Sequence, residues 1–350
     1  MNLRDTRVGA VLIAVLVAAG VWYAKRPEAV QRTLTQLHFG IESQNPNSSV
    51  YVRRVSWSPD SRKLLSVTHG EAGLDGSLVL HDLDDRPHRL SIDISGESVA
   101  NAMLAPDGRH VLVATHEGRL WWIGLESDAR TSLLELPRGV GLVAAALSAN
   151  GRQVAAASSD GSIYLGDPEH QPAAVFASGL RSRISDMRFS KDGCRLVCAA
   201  KDGWLCIWEL QSGKVQQRWK GHDEPAMAAA FLPGDRIISA SLDDTIRIWG
   251  ISTGQEIWRG EFGLFRVYAL ALSADGKMAA WGGHQQKIVV WDLEHARKKY
   301  EIQIPASIVW DLQFSPDNMS LAIAGTEGML RVYDAPTGTE KESIEVGQRL

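Results

Sequence analysis

Residues 221–250 read GHDEPAMAAAFLPGDRIISASLDDTIRIWG. Ala228-Ala229-Ala230-Phe231 is a short apolar run that stops at Pro233-Gly234. Ile237 to Ser241 is a second run, stopped by Asp243-Asp244, and Ile246-Arg247-Ile248-Trp249 is a third, alternating and β-branched. Short β-favouring runs divided by turn formers spell an antiparallel meander. One such sheet cannot bury both of its faces, so it needs copies of itself on either side.

The copies are present. Turn pairs recur at Pro59-Asp60, Pro106-Asp107, Ala149-Asn150, Lys191-Asp192, Gly234-Asp235, Ala274-Asp275 and Pro316-Asp317. A second hairpin turn recurs at Asp75-Gly76, Glu117-Gly118, Asp160-Gly161, Asp202-Gly203, Asp243-Asp244, Gln285-Gln286 and Glu327-Gly328. The third strand closes at His81-Asp82, Ile123-Gly124, Gly166-Asp167, Trp208-Glu209, Trp249-Gly250, Trp291-Asp292 and Tyr333-Asp334. The three series advance by 40 to 47 residues and agree on seven units. That period, with four strands per unit, marks a β-propeller. The weaker fourth strands are predicted at residues 89–94, 131–136, 173–177, 215–219, 256–259, 300–304 and 342–346. Residues 32–39 offer a second candidate for the seventh. The predicted fold is all-β: a seven-bladed propeller over 51–350, behind a linker at 27–50 and one N-terminal transmembrane helix, or signal peptide, within 1–26.

These residues resemble the WD-repeat family from about Tyr51 to Val346. Trp-Asp stands at Trp291-Asp292 and Gly-His at Gly221-His222, and the phrase Ser-Pro-Asp-Gly survives as Ser58-Pro59-Asp60-Ser61, Ala105-Pro106-Asp107-Gly108 and Ser315-Pro316-Asp317-Asn318. The period carries the resemblance. It implies a hydrogen-bonded structural tetrad of His222, Ser239 or Ser241, Asp243 and Trp249, with blades that lack the histidine held by packing alone. No glycine elbow surrounds either serine, so a Ser-His-Asp triad is set aside. The resemblance further implies protein partners on the narrow face around the channel mouth. Two sets of positions map there. The first is Arg53, Ala100, Val143, Ser185, Met227, Tyr268 and Trp310. The second is Leu74, His116, Ser159, Lys201, Leu242, His284 and Thr326. Arg53, Met227, Lys201, Tyr268 and Trp310, with His116 and His284, are the candidate binding residues, because hot spots favour aromatics and Arg. Tyr268 and Trp310 would equally serve as channel plugs.

The 350 residues carry 37 Lys and Arg against 41 Asp and Glu, a net charge of −4. Slight acidity gives no electrostatic case for nucleic acid. No phosphate loop, metal signature or paired-carboxylate cleft is visible, so neither enzyme, cofactor nor metal is expected. The three cysteines, Cys194, Cys198 and Cys206, all lie in one repeat. A two-residue turn at Asp202-Gly203 would set Cys198 beside Ile207 and Cys206 beside Ala199. The two thiols would then lie on opposite sheet faces, unable to bridge. Gln211 to Trp219 and Ser252 to Trp258 resemble repeats of quinone-dependent propellers, which keeps a quinone-dependent oxidoreductase as a minor alternative.

Val8 to Ala24 is an uncharged run of seventeen residues, preceded by Arg4 and Arg7 and followed by Lys25 and Arg26. At about 1.5 Å per residue it nearly crosses a hydrocarbon core of about 30 Å, and Trp22 and Tyr23 sit where interfacial aromatics belong. Ala18-Ala19-Gly20 is a cleavage candidate. The apolar run continues past it, which favours an uncleaved single-pass anchor over an exported, soluble periplasmic binding or sensor propeller. The expected role is a non-catalytic scaffold at a membrane, part of a larger complex. The propeller is placed outside the cytosol, periplasmic if the source is bacterial.

Overall fold

The computed structural model describes residues 50–70, 77–84, 89–94, 96–169, 174–177, 182–261, 266–306 and 308–346. The Val8–Ala24 run and the alternative closing segment at 32–39 lie outside them. No helix among the described residues is long and apolar enough to cross a membrane.

The described elements form seven sheets of four antiparallel strands, each in simple chain order. The innermost strands are Val50–Trp57, Val99–Leu104, Leu142–Leu147, Ile184–Phe189, Ala226–Leu232, Val267–Leu272 and Val309–Phe314, and they open blades 1 to 7. The outermost are Arg89–Ile92, Arg130–Glu135, Ala174–Ala177, Lys214–Lys220, Glu256–Glu261, Arg297–Gln303 and Glu340–Glu345. Each innermost strand packs on the next, and that of blade 7 returns to that of blade 1.

Packing follows from the two-residue side-chain period. Within blade 5, Ile237 joins the core shared with blade 4, and its neighbour Ile238 the core shared with blade 6. Seven such clusters lie one to each interface between adjacent blades. The first turn of most blades is tied by a serine. Ser58, Ser190, Ser273 and Ser315 donate to Asp60, Asp192, Asp275 and Asp317 at 2.5–2.6 Å, a side-chain mimic of a backbone turn.

The ring closes without strand exchange. Glu340–Glu345 pairs with Met329–Asp334 inside blade 7, so the C-terminal candidate supplies the seventh outer strand. Blades 1 and 7 then join by Val52, Val55, Trp57 and Leu64 against Ala322, Ala324, Leu330 and Val332. Side chains of blade 7 also cap the free edge of blade 1. Asp311 Oδ2 accepts from Val55 N (3.1 Å), Gln313 Oε1 from Trp57 N (2.7 Å), and the Gln313 carbonyl from Trp57 Nε1 (3.0 Å).

Two expectations need correction. Cys198 and Cys206 are direct cross-strand partners, on the same face. The turn between them holds three residues, Lys201-Asp202-Gly203, with Gly203 at φ +83°, and one residue more in a hairpin turns every side chain to the other face. Both thiols are nevertheless free and buried. Burial pushes Cys198 well up, and burial pushes Cys206 up to about 12.

Blades without the histidine are also not held by packing alone. Blade 1 sets His81 Nε2 2.8 Å from Ser66 Oγ. In blade 2, Glu97 accepts from Arg119 Nη1 and Trp121 Nε1. In blade 7, Arg331 donates to both Glu327 and Glu340. These three blades carry three different polar groups, which a motif built on Gly-His cannot register.

Candidate functional site: the narrow face and the blade 5 network

All seven positions of the first candidate set are β-bulges. The register between first and second strands skips Arg53, Ala100, Val143, Ser185, Met227, Tyr268 and Trp310. A bulge leaves its extra residue unpaired and re-aims the side chain. Seven bulges at one end of seven inner strands therefore gather these residues about the channel mouth. His116, Ser159, Lys201, Leu242, His284 and Thr326 each open a three-residue turn at the same end. Its third residue takes a positive φ at Gly118, Gly161, Gly203, Asp244, Gln286 and Gly328. Leu74 lies outside the described residues.

Blades 6, 7 and 1 supply an aromatic wall. Tyr268 and Trp310 meet edge to face at 5.2 Å between centroids, Tyr51 stands 6.3 Å from Trp310, and Tyr268 lies 5.9 Å from His284. The Arg53 guanidinium lies over the Trp310 ring, 4.7 Å from its centroid, a cation–π arrangement. Burial, followed by Arg54, lowers the Arg53 pKa. Across the mouth, the Lys201 ammonium rests 3.2 Å from Met227 Sδ. That partial withdrawal from water, followed by Arg183, Arg53 and Arg54, pulls its pKa down to about 8. Burial and then Arg53 hold His69 at about 4. His116 is lowered by burial and then by Arg183. The mouth thus joins candidates Arg53, Met227, Lys201, Tyr268, Trp310, His116 and His284 to Tyr51, His69 and Arg183, which sequence reading did not single out. Each neighbours a candidate along or across a strand, but its place at the mouth depends on groups from other blades.

The channel below is partly filled. Arg188 Nε pairs with Asp186 at 3.0 Å, and its Nη2 reaches from blade 4 to the Leu270 carbonyl of blade 6 at 2.7 Å. Asp311 is half-buried. Its pKa is raised by burial, against the pull of Arg54 and Arg188.

The blade 5 network lies elsewhere, in the interface with blade 4. Trp249 Nε1 donates to Ser239 Oγ (2.9 Å), which lies 2.7 Å from His222 Nε2, and His222 Nδ1 lies 2.9 Å from Asp243 Oδ2. An ionised carboxylate only accepts, so Nδ1 carries the proton and Nε2 accepts from the serine. Burial first keeps the ring neutral by lowering its pKa. For Asp243, burial acts upward, but His222, Thr245 and Arg247 hold the carboxyl well below its usual range. Ser239 is the serine in the chain of bonds. Ser241 instead donates to the Glu224 and Pro225 carbonyls and accepts from Asp243 N. With Ser239 and His222 at 0% and 1% exposure, no substrate carbonyl can reach the hydroxyl. Buried bonds of this kind suit a brace within the blade.

Comparison with known proteins agrees with this architecture. The family described as "WD domain, G-beta repeat" matches residues 172–209, 213–250 and 299–334. Each match takes the outer strand of one blade with the three inner strands of the next, so the sequence repeat is offset from the blade by one strand. THO complex subunit 6 of Arabidopsis thaliana is 24% identical over 299 residues, covering 81% of this chain and 78% of that protein. Autophagy-related protein 16 of Arabidopsis thaliana is 24% identical over 164 residues, 45% of this chain and 31% of that protein. Protein groucho of Drosophila melanogaster is 24% identical over 155 residues, 43% of this chain and 21% of that protein. The chain therefore spans a third or less of the last two. The chain is thus similar to WD-repeat proteins, with repeats matched in blades 4, 5 and 7 of a fold of seven four-stranded blades.

Proposed function

We propose that this protein is a non-catalytic scaffold, held at a membrane by Val8–Ala24 with its propeller outside the cytosol, that binds a partner protein on the narrow face. The observation that carries the reading is the ring of seven bulges. It presents Arg53, Tyr268 and Trp310 from a rigid frame, so little side-chain order is lost on binding. THO complex subunit 6, a relative that overlaps most of this chain and is by its name a subunit of a complex, supports the same role.

The test is capture from detergent-solubilised membranes with the full chain and with Trp310→Ala, read by mass spectrometry. The reading expects a partner held by the parent and lost by the variant at an unchanged melting temperature. A variant that melts lower and keeps its partners makes Trp310 a channel plug and refutes binding at this face. The tether is tested separately by washing membranes with carbonate. Chain starting near Met1 should stay in the pellet, and a soluble form starting near Val21 would show a cleaved signal peptide.

A further inference from the structure

Arg53, Arg183 and Lys201 give the channel mouth positive charge that no carboxylate among the described residues answers. Arg53 comes from blade 1, and Arg183 and Lys201 from blade 4, across the ring. Their charges reach one another, since Arg183 and Arg53 both act on Lys201. Deeper in the channel, Asp186 pairs with Arg188 and Asp311 offsets Arg54. Among the described residues, no carboxylate does the same for Arg53, Arg183 or Lys201. The acidic residues of the neighbouring turns face backbone instead: Glu117 accepts from Ser98 N, and Asp202 from Trp204 N.

A second observation points the same way. Arg54 Nε, Ser185 Oγ and Trp310 Nε1 are buried, with no hydrogen-bond partner among the described residues. All three can donate, and all three lie at or beside a bulge at this end of the ring. Buried donors are normally satisfied, and gathering like charges costs free energy in the unliganded protein. An anion in the mouth relieves the crowding of like charges, and a small side-chain shift would bring these donors to it.

We propose that the mouth holds the acidic side chains of a partner segment, with anionic oxygens between Arg53, Arg183 and Lys201 and the peptide lying against Tyr268 and Trp310. The inference rests on the scaffold reading and supplies the partner's chemistry. Arginine presents a planar fork that matches a carboxylate, and stacking on Trp310 holds the Arg53 fork in one orientation before binding. A phosphorylated serine offers the same chemistry with more charge.

The experiment uses the full chain in detergent and fluorescein-labelled decapeptides rich in Glu, in Gln, or in phosphoserine, followed by anisotropy. The Glu peptide should bind at least about tenfold more tightly than its Gln counterpart. Raising salt to about 0.5 M should weaken it by a similar factor. The double change Arg183→Ala with Lys201→Ala, at two exposed side chains, should cost about tenfold or more without moving the melting temperature. Arg259→Ala on the outer strand of blade 5 should leave affinity unchanged. A phosphoserine peptide that outbinds the Glu peptide identifies a phosphorylated partner, and equal binding identifies a carboxylate one. Equal affinity for the Glu and Gln peptides, or an intact response in the double variant, overturns the proposal. Should the double variant still hold a partner that Trp310→Ala releases, the anion site falls and the scaffold stands.

Discussion

Replacing His222 by alanine tests whether the blade 5 network is a strut. The change removes the acceptor of the Ser239 hydroxyl and the Nδ1–H donor to Asp243, and it empties the space of a ring that is 1% exposed. The remaining members are not wholly abandoned. Trp249 Nε1 still donates to Ser239, and Arg247 Nη2 and Thr245 Oγ1 still donate to Asp243. The loss is therefore one neutral hydrogen bond, about 1 kcal/mol, and one to a charged group, about 1.5–3 kcal/mol. The expected cost is about 3 kcal/mol, with the small cavity adding to it. For a propeller of about 300 residues that corresponds to about 5 °C in melting temperature. Scanning calorimetry on parent and variant measures it, with Ser241→Ala as an internal comparison, because that serine serves only local carbonyls and an amide. A His222→Ala protein melting within about 1 °C of the parent would refute the strut. So would one that keeps full stability and loses a specific activity outright, which would return the Ser-His-Asp group to chemistry.

Three further outcomes are expected. Gln313→Ala removes the acceptor of Trp57 N–H at the seam between blades 7 and 1. It should cost about 1–2 kcal/mol and speed hydrogen exchange at that amide above its neighbours; unchanged exchange there would mean the seam does not depend on it. His81, held at about 4 by burial and then by Arg89, takes up its proton later than the unfolded chain does at about 6.5. Stability present above pH 6.5 should therefore fall between about pH 6.5 and 4, by up to about 3 kcal/mol, with His222 acting in the same direction. Urea midpoints across that window check the sign, and a flat profile would contradict it. Iodoacetamide should modify Cys194 alone in the native protein and all three cysteines after denaturation, since Cys198 and Cys206 are buried with raised pKa values. Mass spectrometry counts the adducts, and a second native adduct would show that the blade 4 hairpin opens.

Much of the candidate site was legible because each repeat places its chemistry at a fixed offset. Arg53, Tyr268 and Trp310 occupy one equivalent position, and a seven-fold ring must bring such positions together. Why they point to the mouth was not legible. A bulge is one extra residue against a partner strand, visible only once both strands are paired. Tyr51, His69 and Arg183 were missed for a related reason. Their part at the mouth depends on charges and rings from other blades, far away in the chain.

The sequence by itself determined the all-β class, the seven units and most strand positions, because turn residues and side-chain alternation are local and each was repeated seven times. It also placed His222, Asp243 and Trp249 in one blade. It could not choose between Ser239 and Ser241, which lie two residues apart and so share a face; their distances from His222 and Trp249 decided. It set the cysteine hairpin one residue out of register, because turn length is fixed by backbone geometry at Gly203 rather than by the Asp-Gly pair. The tertiary structure alone decided how the ring closes, with Asp311 and Gln313 capping blade 1 across 256 positions of chain. It alone set Arg53 over Trp310 and faced it with Lys201 and Arg183, because charges on separate blades meet only when the ring is complete.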